Sequence, residues 1–196
     1  MNAASTASLA AAILALAACQ QPSAPVAEDD APVTPAATAS PSPEEAKEVT
    51  LAPDGIALVN AVEGRGTATE LSFGMPRENV LAAMAVDFGA PEASSNEECG
   101  AGPMEFAGFG ALQLNFLDGK LAGWLAEPAA NLVTADGTRP GAPLSDLQAR
   151  HAVEMADSTL EGEFGYETPD GGTIGGFVDR EGRITALNAG VNCFFR

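Results

Sequence analysis

His151 is the single histidine among 196 residues, so a zinc site built on paired imidazoles is excluded. As a general base it would need a positioned partner and access to substrate. Carboxylates could do acid–base work in pairs, as in glycoside hydrolysis. The pairs on offer are Glu161 with Glu163, and Glu105 near Glu97 and Glu98. With 22 acids from Glu48 onward, such pairs arise by number alone. No Gly-x-Ser-x-Gly elbow, Walker loop or Ser-x-x-Lys occurs. The glycine pairs at 171–172 and 175–176 lack a following Lys-Ser/Thr to hold phosphate, and suit tight turns and flat sheet positions instead. Trp124 and Tyr166 are single aromatics, and Phe164, Phe177, Phe194 and Phe195 suit a core better than a sugar platform. The sequence thus leads us to expect no catalytic, cofactor-binding or metal-ligating set, and no enzyme.

Cysteine is the remaining reactive type, at Cys19, Cys99 and Cys193. A nucleophilic thiol wants a basic neighbour to lower its pKa, whereas Cys99 follows Glu97 and Glu98. Cys19 has a different setting. It ends the string Leu16-Ala17-Ala18-Cys19, behind an apolar run at 9–18 that falls short of the roughly 20 residues needed to span a bilayer. This arrangement resembles the lipobox of bacterial lipoproteins. The resemblance implies that residues 1–18 are a cleaved signal peptide and that Cys19 becomes the lipid-bearing first residue. Several acyl chains on one cysteine anchor a protein firmly, and Gln20 in the next position favours the outer membrane. The domain is then expected in the cell envelope, facing the periplasm. In that oxidising compartment Cys99 and Cys193 are expected to pair as a structural disulfide.

Residues 19–47 are mainly Pro, Ala, Ser, Thr and acidic side chains, with prolines at 22, 25, 32, 35, 41 and 43. Such a stretch has little apolar mass to bury and reads as a disordered tether. A polyproline-like tether of this length would reach up to roughly 90 Å, a flexible coil nearer 30 Å. The formal charge is −18, and from Glu48 onward 8 basic side chains stand against the 22 acids. That balance excludes nucleic acid, whose phosphates need neutralising, and direct docking on anionic lipid heads. It leaves an envelope protein, favourably a basic one, as the partner class.

The foldable material lies at 50–196, enough for one domain. Within it the string Gly74-Met75-Pro76-Arg77-Glu78-Asn79-Val80-Leu81 aligns with Gly141-Ala142-Pro143-Leu144-Ser145-Asp146-Leu147-Gln148. In each, a glycine precedes a proline suited to a first helical turn and an acid suited to the helix N-terminus. Val80, Leu81, Met84 and Phe88 follow at helical spacing, as do Leu144, Leu147, His151 and Met155. His151 therefore falls where the first copy has Met84, and packing on a helix is expected of it. Strand-like runs follow at 104–108, 111–117 and 120–125, and again at 161–167, 173–178 and 183–189. Another precedes each helix, at 68–73 and 131–135. Asp118-Gly119 is a hairpin turn. The expected fold is α+β: two tandem helix-plus-antiparallel-meander units, at about 66–130 and 131–196, forming one compact disulfide-linked domain.

Two tandem units that open on Gly-x-Pro and a helix and close on a meander resemble the β-lactamase inhibitor protein family, and a single unit is similar to the BamE lipoproteins. The segment Glu97-Glu98-Cys99-Gly100-Ala101-Gly102-Pro103 and the ending Ala189-Gly190-Val191-Asn192-Cys193 resemble those of uncharacterised bacterial lipoproteins. The anchor, the long tether, the expected disulfide and the missing catalytic set lead us to expect a lipid-anchored, non-enzymatic binding or scaffolding module. The alternative, which the strong negative charge and the likeness to an inhibitor fold imply, is an acidic inhibitor of a basic envelope-targeting enzyme such as a lysozyme.

Overall fold

A computed structural model describes residues 47–62 and 65–195. Cys19, the signal peptide and the expected tether up to residue 46 lie outside the described residues. The elements in chain order are β1 (Lys47–Ala52), β2 (Gly55–Val62), β3 (Arg65–Ser72), α1 (Arg77–Phe88), β4 (Glu92–Asn96), β5 (Met104–Phe109), β6 (Leu112–Leu117) and β7 (Lys120–Ala126). They continue with β8 (Leu132–Thr134), α2 (Leu144–Gln148), β9 (Val153–Met155), β10 (Glu163–Glu167), β11 (Thr173–Val178) and β12 (Ile184–Gly190). Strand far outweighs helix, which corrects the expected balance of an α+β domain. The described chain begins with a strand at Lys47, three residues before the expected start.

The strands form two sheets. A small one runs β3-β2-β1-β8, and a large one runs β4-β5-β6-β7-β12-β11-β10-β9. In the small sheet Val49 pairs with Leu58 and Leu51 with Ile56, four buried side chains across one hairpin. In the large sheet all pairings are antiparallel, and its two meanders meet at β7 and β12. Leu112 and Leu114 on β6, Trp124 and Ala126 on β7, and Leu187 and Ala189 on β12 share its inner face and are buried. The small sheet and both helices pack on that face and close the main core. Trp124 joins the layers directly, its indole N–H donating to the Ala52 carbonyl at 2.8 Å.

The first helix forms as its pattern predicts. It buries Val80 and Met84, carries Glu78 in its first turn, and ends at Gly89 with φ +75°. The second helix is only five residues long, which corrects the expectation that it runs through His151 to Met155. The N–H groups of Arg150 and His151 both turn back to the Leu147 carbonyl, at 3.0 and 2.9 Å. Beyond them Val153 and Met155 pair with Tyr166 and Phe164 as strand β9. Ladder pairing with β10 supersedes a helical continuation whose only gain would be Met155, itself 53% exposed.

Both helices are approached in the same way. Gly74 and Gly141 each have φ +90°, a backbone state costly for other residues. The Gly74 N–H donates to the Leu121 carbonyl at 2.7 Å, and the Gly141 N–H to that of Ile184 at 2.7 Å. Arg77 N–H bonds Gly119 O at 2.9 Å, and Leu144 N–H bonds Gly182 O at 2.8 Å. Pro76 bridges to Lys120 and Pro143 to Arg183. The hairpin turns at 118–119 and 179–182 thus hold the two helix starts through corresponding atoms.

Cys99 and Cys193 form a disulfide across 94 residues of sequence, with Cα atoms 5.1 Å apart. In the chain-entropy account, closing a loop of that length restricts the unfolded chain by about 4–5 kcal/mol.

Candidate functional site

Three side chains from separate elements converge beside the end of β8. Thr134 ends that strand, and a turn through Asp136 and Gly137 returns the Thr138 carbonyl to the Thr134 N–H at 2.8 Å. Asp136 is drawn inward by this turn. Its Oδ1 accepts from the Thr138 N–H at 3.1 Å and from the Thr134 hydroxyl, while its Oδ2 lies 2.9 Å from His151 Nε2. Tyr166, from β10, packs against the imidazole with ring centroids 5.0 Å apart. Arg150 closes the outside, its guanidinium donating to the Asp136 carbonyl at 2.6 Å and to the Thr138 hydroxyl at 3.1 Å.

Electrostatics follow from the geometry. Burial pushes the Asp136 carboxyl up. The Thr134 and Thr138 hydrogen bonds and the His151 charge outweigh it, so the net shift is downward. Burial, reinforced by the Asp136 charge, pushes the Tyr166 phenol up to about 12, with hydrogen bonding from Thr138 and Thr134 opposing in part. This phenol is the only one in the chain, so its ionisation can be read by ultraviolet absorbance without interference. A midpoint near 12 is expected in the folded protein. A folded-state value raised above the ordinary 10.0 means the linked stability is whole below that pH and is lost as pH climbs through the folded value. An ordinary phenol midpoint in protein that is still folded would contradict the burial.

In this geometry the cluster fastens the turn after α2 to the end of β8 and to β10. One imidazole nitrogen is committed to Asp136, and the side chain is 12% exposed. His151 is packed, as expected, but at a turn after α2 rather than on a helix. The pairing with Asp136 and Tyr166 was not foreseen from sequence. The signal available was Thr134-Ala135-Asp136-Gly137-Thr138, an Asx-type turn motif.

The carboxylate pairs are scattered. Glu161 makes an exposed ion pair with Arg180 at 3.0 Å, and Glu163 stands on β10. Glu105 lies 3.6 Å from Arg77, while Glu97 and Glu98 are exposed in the loop before Cys99. The glycines at 171–172 make a turn, where Gly172 presses on Pro53 so closely that a Cβ would come within 2.8 Å. Among the described residues no group of three or more His, Cys, Asp or Glu is arranged to hold a metal. Likewise, no described helix is long and apolar enough to cross a membrane.

The outer face of the large sheet carries an open cleft. A cleft of about 860 Å³ crosses β9, β10, β11 and β12, lined by Glu154, Met155, Glu163, Gly165, Gly175 and Asn188 among others. Gly165 pairs with Gly175, and Gly175 with Asn188, so bare backbone floors the cleft between acidic side chains. A smaller space of about 530 Å³ lies on the other side, between the Pro53–Asp54 turn, Asp136 and the 168–172 turn. Searches against family models, curated proteins and solved structures find no match to this chain.

Proposed function

We propose that this chain is a lipid-anchored envelope protein whose folded part is a non-enzymatic binding module, and that the outer face of the large sheet is its contact surface. The observation that carries the proposal is the open cleft of about 860 Å³. Its glycine floor lets a partner's side chains approach backbone directly, its rim is acidic, and Met155 offers exposed apolar surface beside it. Contact surfaces of this kind combine an apolar anchor with a polar rim. The corresponding bonds at the two helix starts support a duplicated origin, with two helix-plus-meander units sharing one sheet. The charge of −18 favours a basic partner through steering, and equally the alternative of an inhibitor of a cationic hydrolase.

A photo-crosslinking residue placed at Thr173, on the cleft wall, is expected to capture an envelope protein in membranes from cells that make the full chain. The same residue at Val86, exposed on α1, is expected not to. Capture should weaken as salt rises, because exposed charge attraction is screened. Equal capture from both positions would remove the outer face as the contact surface. Cys19→Ala is expected to release the protein from the membrane, read by fractionation and intact mass. A variant that stays membrane-bound would refute the anchor.

A further inference from the structure

We infer that residues 191–195 form a strap over the outer face of the large sheet, fastened by the Cys99–Cys193 bond and released when that bond is reduced. The strap begins where β12 ends. Val191 N–H donates to the Ala122 carbonyl at 2.8 Å, and the chain crosses so close to β7 that a Cβ on Gly123 would lie 2.2 Å from the Val191 oxygen. The Asn115 amide then donates to the Val191 carbonyl at 3.1 Å and to Asn192 Oδ1 at 2.7 Å. Phe194 meets Phe177 edge-on, with ring centroids 5.2 Å apart.

What holds the strap is mostly covalent. Among the described residues, 192–195 make no backbone–backbone hydrogen bond. Beneath them Cys99, Met104 and Phe106 are buried in a small cluster with Leu117, Val191 and Cys193, separate from the main core. Lifting the strap therefore exposes this satellite and leaves the core intact, a local opening rather than unfolding. Asn115, fully buried under the strap, would regain water as its partners leave, so no orphaned amide opposes release.

The release step is a thiol–disulfide exchange with a dithiol. One thiolate attacks the Cys193 sulfur, the more open of the two, and the Cys99 sulfur leaves as a thiolate. The second thiol of the reagent then resolves the mixed disulfide. Two electrons and two protons pass to the cysteines, and the dithiol closes to its own disulfide. The uncovered area adjoins a groove of about 410 Å³ lined by Gln113, Leu125, Cys193 and Phe194 among others. Reduction would thus widen the proposed contact face; this consequence, unlike release itself, rests on the binding reading.

The test uses the full chain, oxidised or reduced with dithiothreitol, under carboxypeptidase digestion followed by intact mass. Digestion of the oxidised protein is expected to stop at Cys193, and that of the reduced protein to continue to about Gly190. Peroxide oxidation of Met104 should be about tenfold or more faster in a Cys99→Ser/Cys193→Ser chain, measured without reductant, than in the disulfide-bonded wild type. The emission of Trp124, the only tryptophan and fully buried in the main core, should stay unchanged. Cys193→Ser without reductant should reproduce the reduced behaviour. An identical stopping point in both states, a Cys193→Ser chain that resists trimming, or a Trp124 shift accompanying release would each overturn the strap. None of these measurements involves a partner, so they fail or succeed independently of the crosslinking at Thr173.

Discussion

Trp124→Ala is expected to remove about 3–5 kcal/mol of stability, the range for truncating a large buried aromatic. Trp124 is fully buried on the inner face of β7, the strand where the first meander meets the second. Its loss leaves a cavity that the strands on either side, pinned by their ladders, cannot close. It also removes the indole donor to the Ala52 carbonyl, and with it the direct hydrogen bond between the two sheets. Trp124→Phe separates the two effects. It keeps most of the volume, so a cost nearer 1–2 kcal/mol is expected from the lost hydrogen bond and imperfect packing. Urea unfolding followed by far-ultraviolet circular dichroism measures both, since the variants lack the only tryptophan. A domain holding the typical 5–15 kcal/mol would lose about a fifth of it or more in the alanine variant. A cost below that of Trp124→Phe would mean that Trp124 does not bridge the layers.

Asp136→Ala is expected to cost about 1–3 kcal/mol, because it removes the buried carboxylate that His151 Nε2, the Thr134 hydroxyl and the Thr138 N–H share. The side chains of Asp136 and His151 are 7% and 12% exposed, so water cannot replace the lost carboxylate. Asp136→Asn isolates the charge. The folded-state pKa of Asp136 lies below the ordinary carboxyl value of 3.8. Its contribution is therefore whole above the unfolded value and is lost as pH falls through the folded one. The stability gap between wild type and Asp136→Asn should be widest near neutrality and should narrow only as pH drops below about 4. Urea titrations at stepped pH give that gap directly. A gap that stays constant into acid would show that the carboxylate charge contributes nothing.

The parts of this fold legible in the sequence share one property: their signals are local. Asp118-Gly119 between alternating runs marks the β6–β7 hairpin, and Asp118 does adopt the positive φ, +50°, that such a turn demands. The period of Val80, Leu81, Met84 and Phe88 marks α1. The β1–β2 hairpin has its own local signal in Pro53-Asp54-Gly55 between alternating apolar residues, but its first strand abuts a Pro-rich stretch of no strand character. β4 offered no signal, since its residues are largely exposed and it forms by pairing with β5. The overextended second helix failed for the same reason in reverse. Leu144, Leu147, His151 and Met155 satisfy helical spacing, yet ladder pairing with β10 and the reach of His151 toward Asp136 claim the last two.

Composition and spacing determined the charge, the cysteine count and most strand positions, since each depends on residue type or on neighbours a few places away. Folding in three dimensions settled which strands lie side by side, that Asp136, His151 and Tyr166 meet, and that the last residues cross the outer face. Those outcomes depend on atoms brought together across gaps of 15 to 94 positions, where burial and pairing energies outweigh any preference written locally.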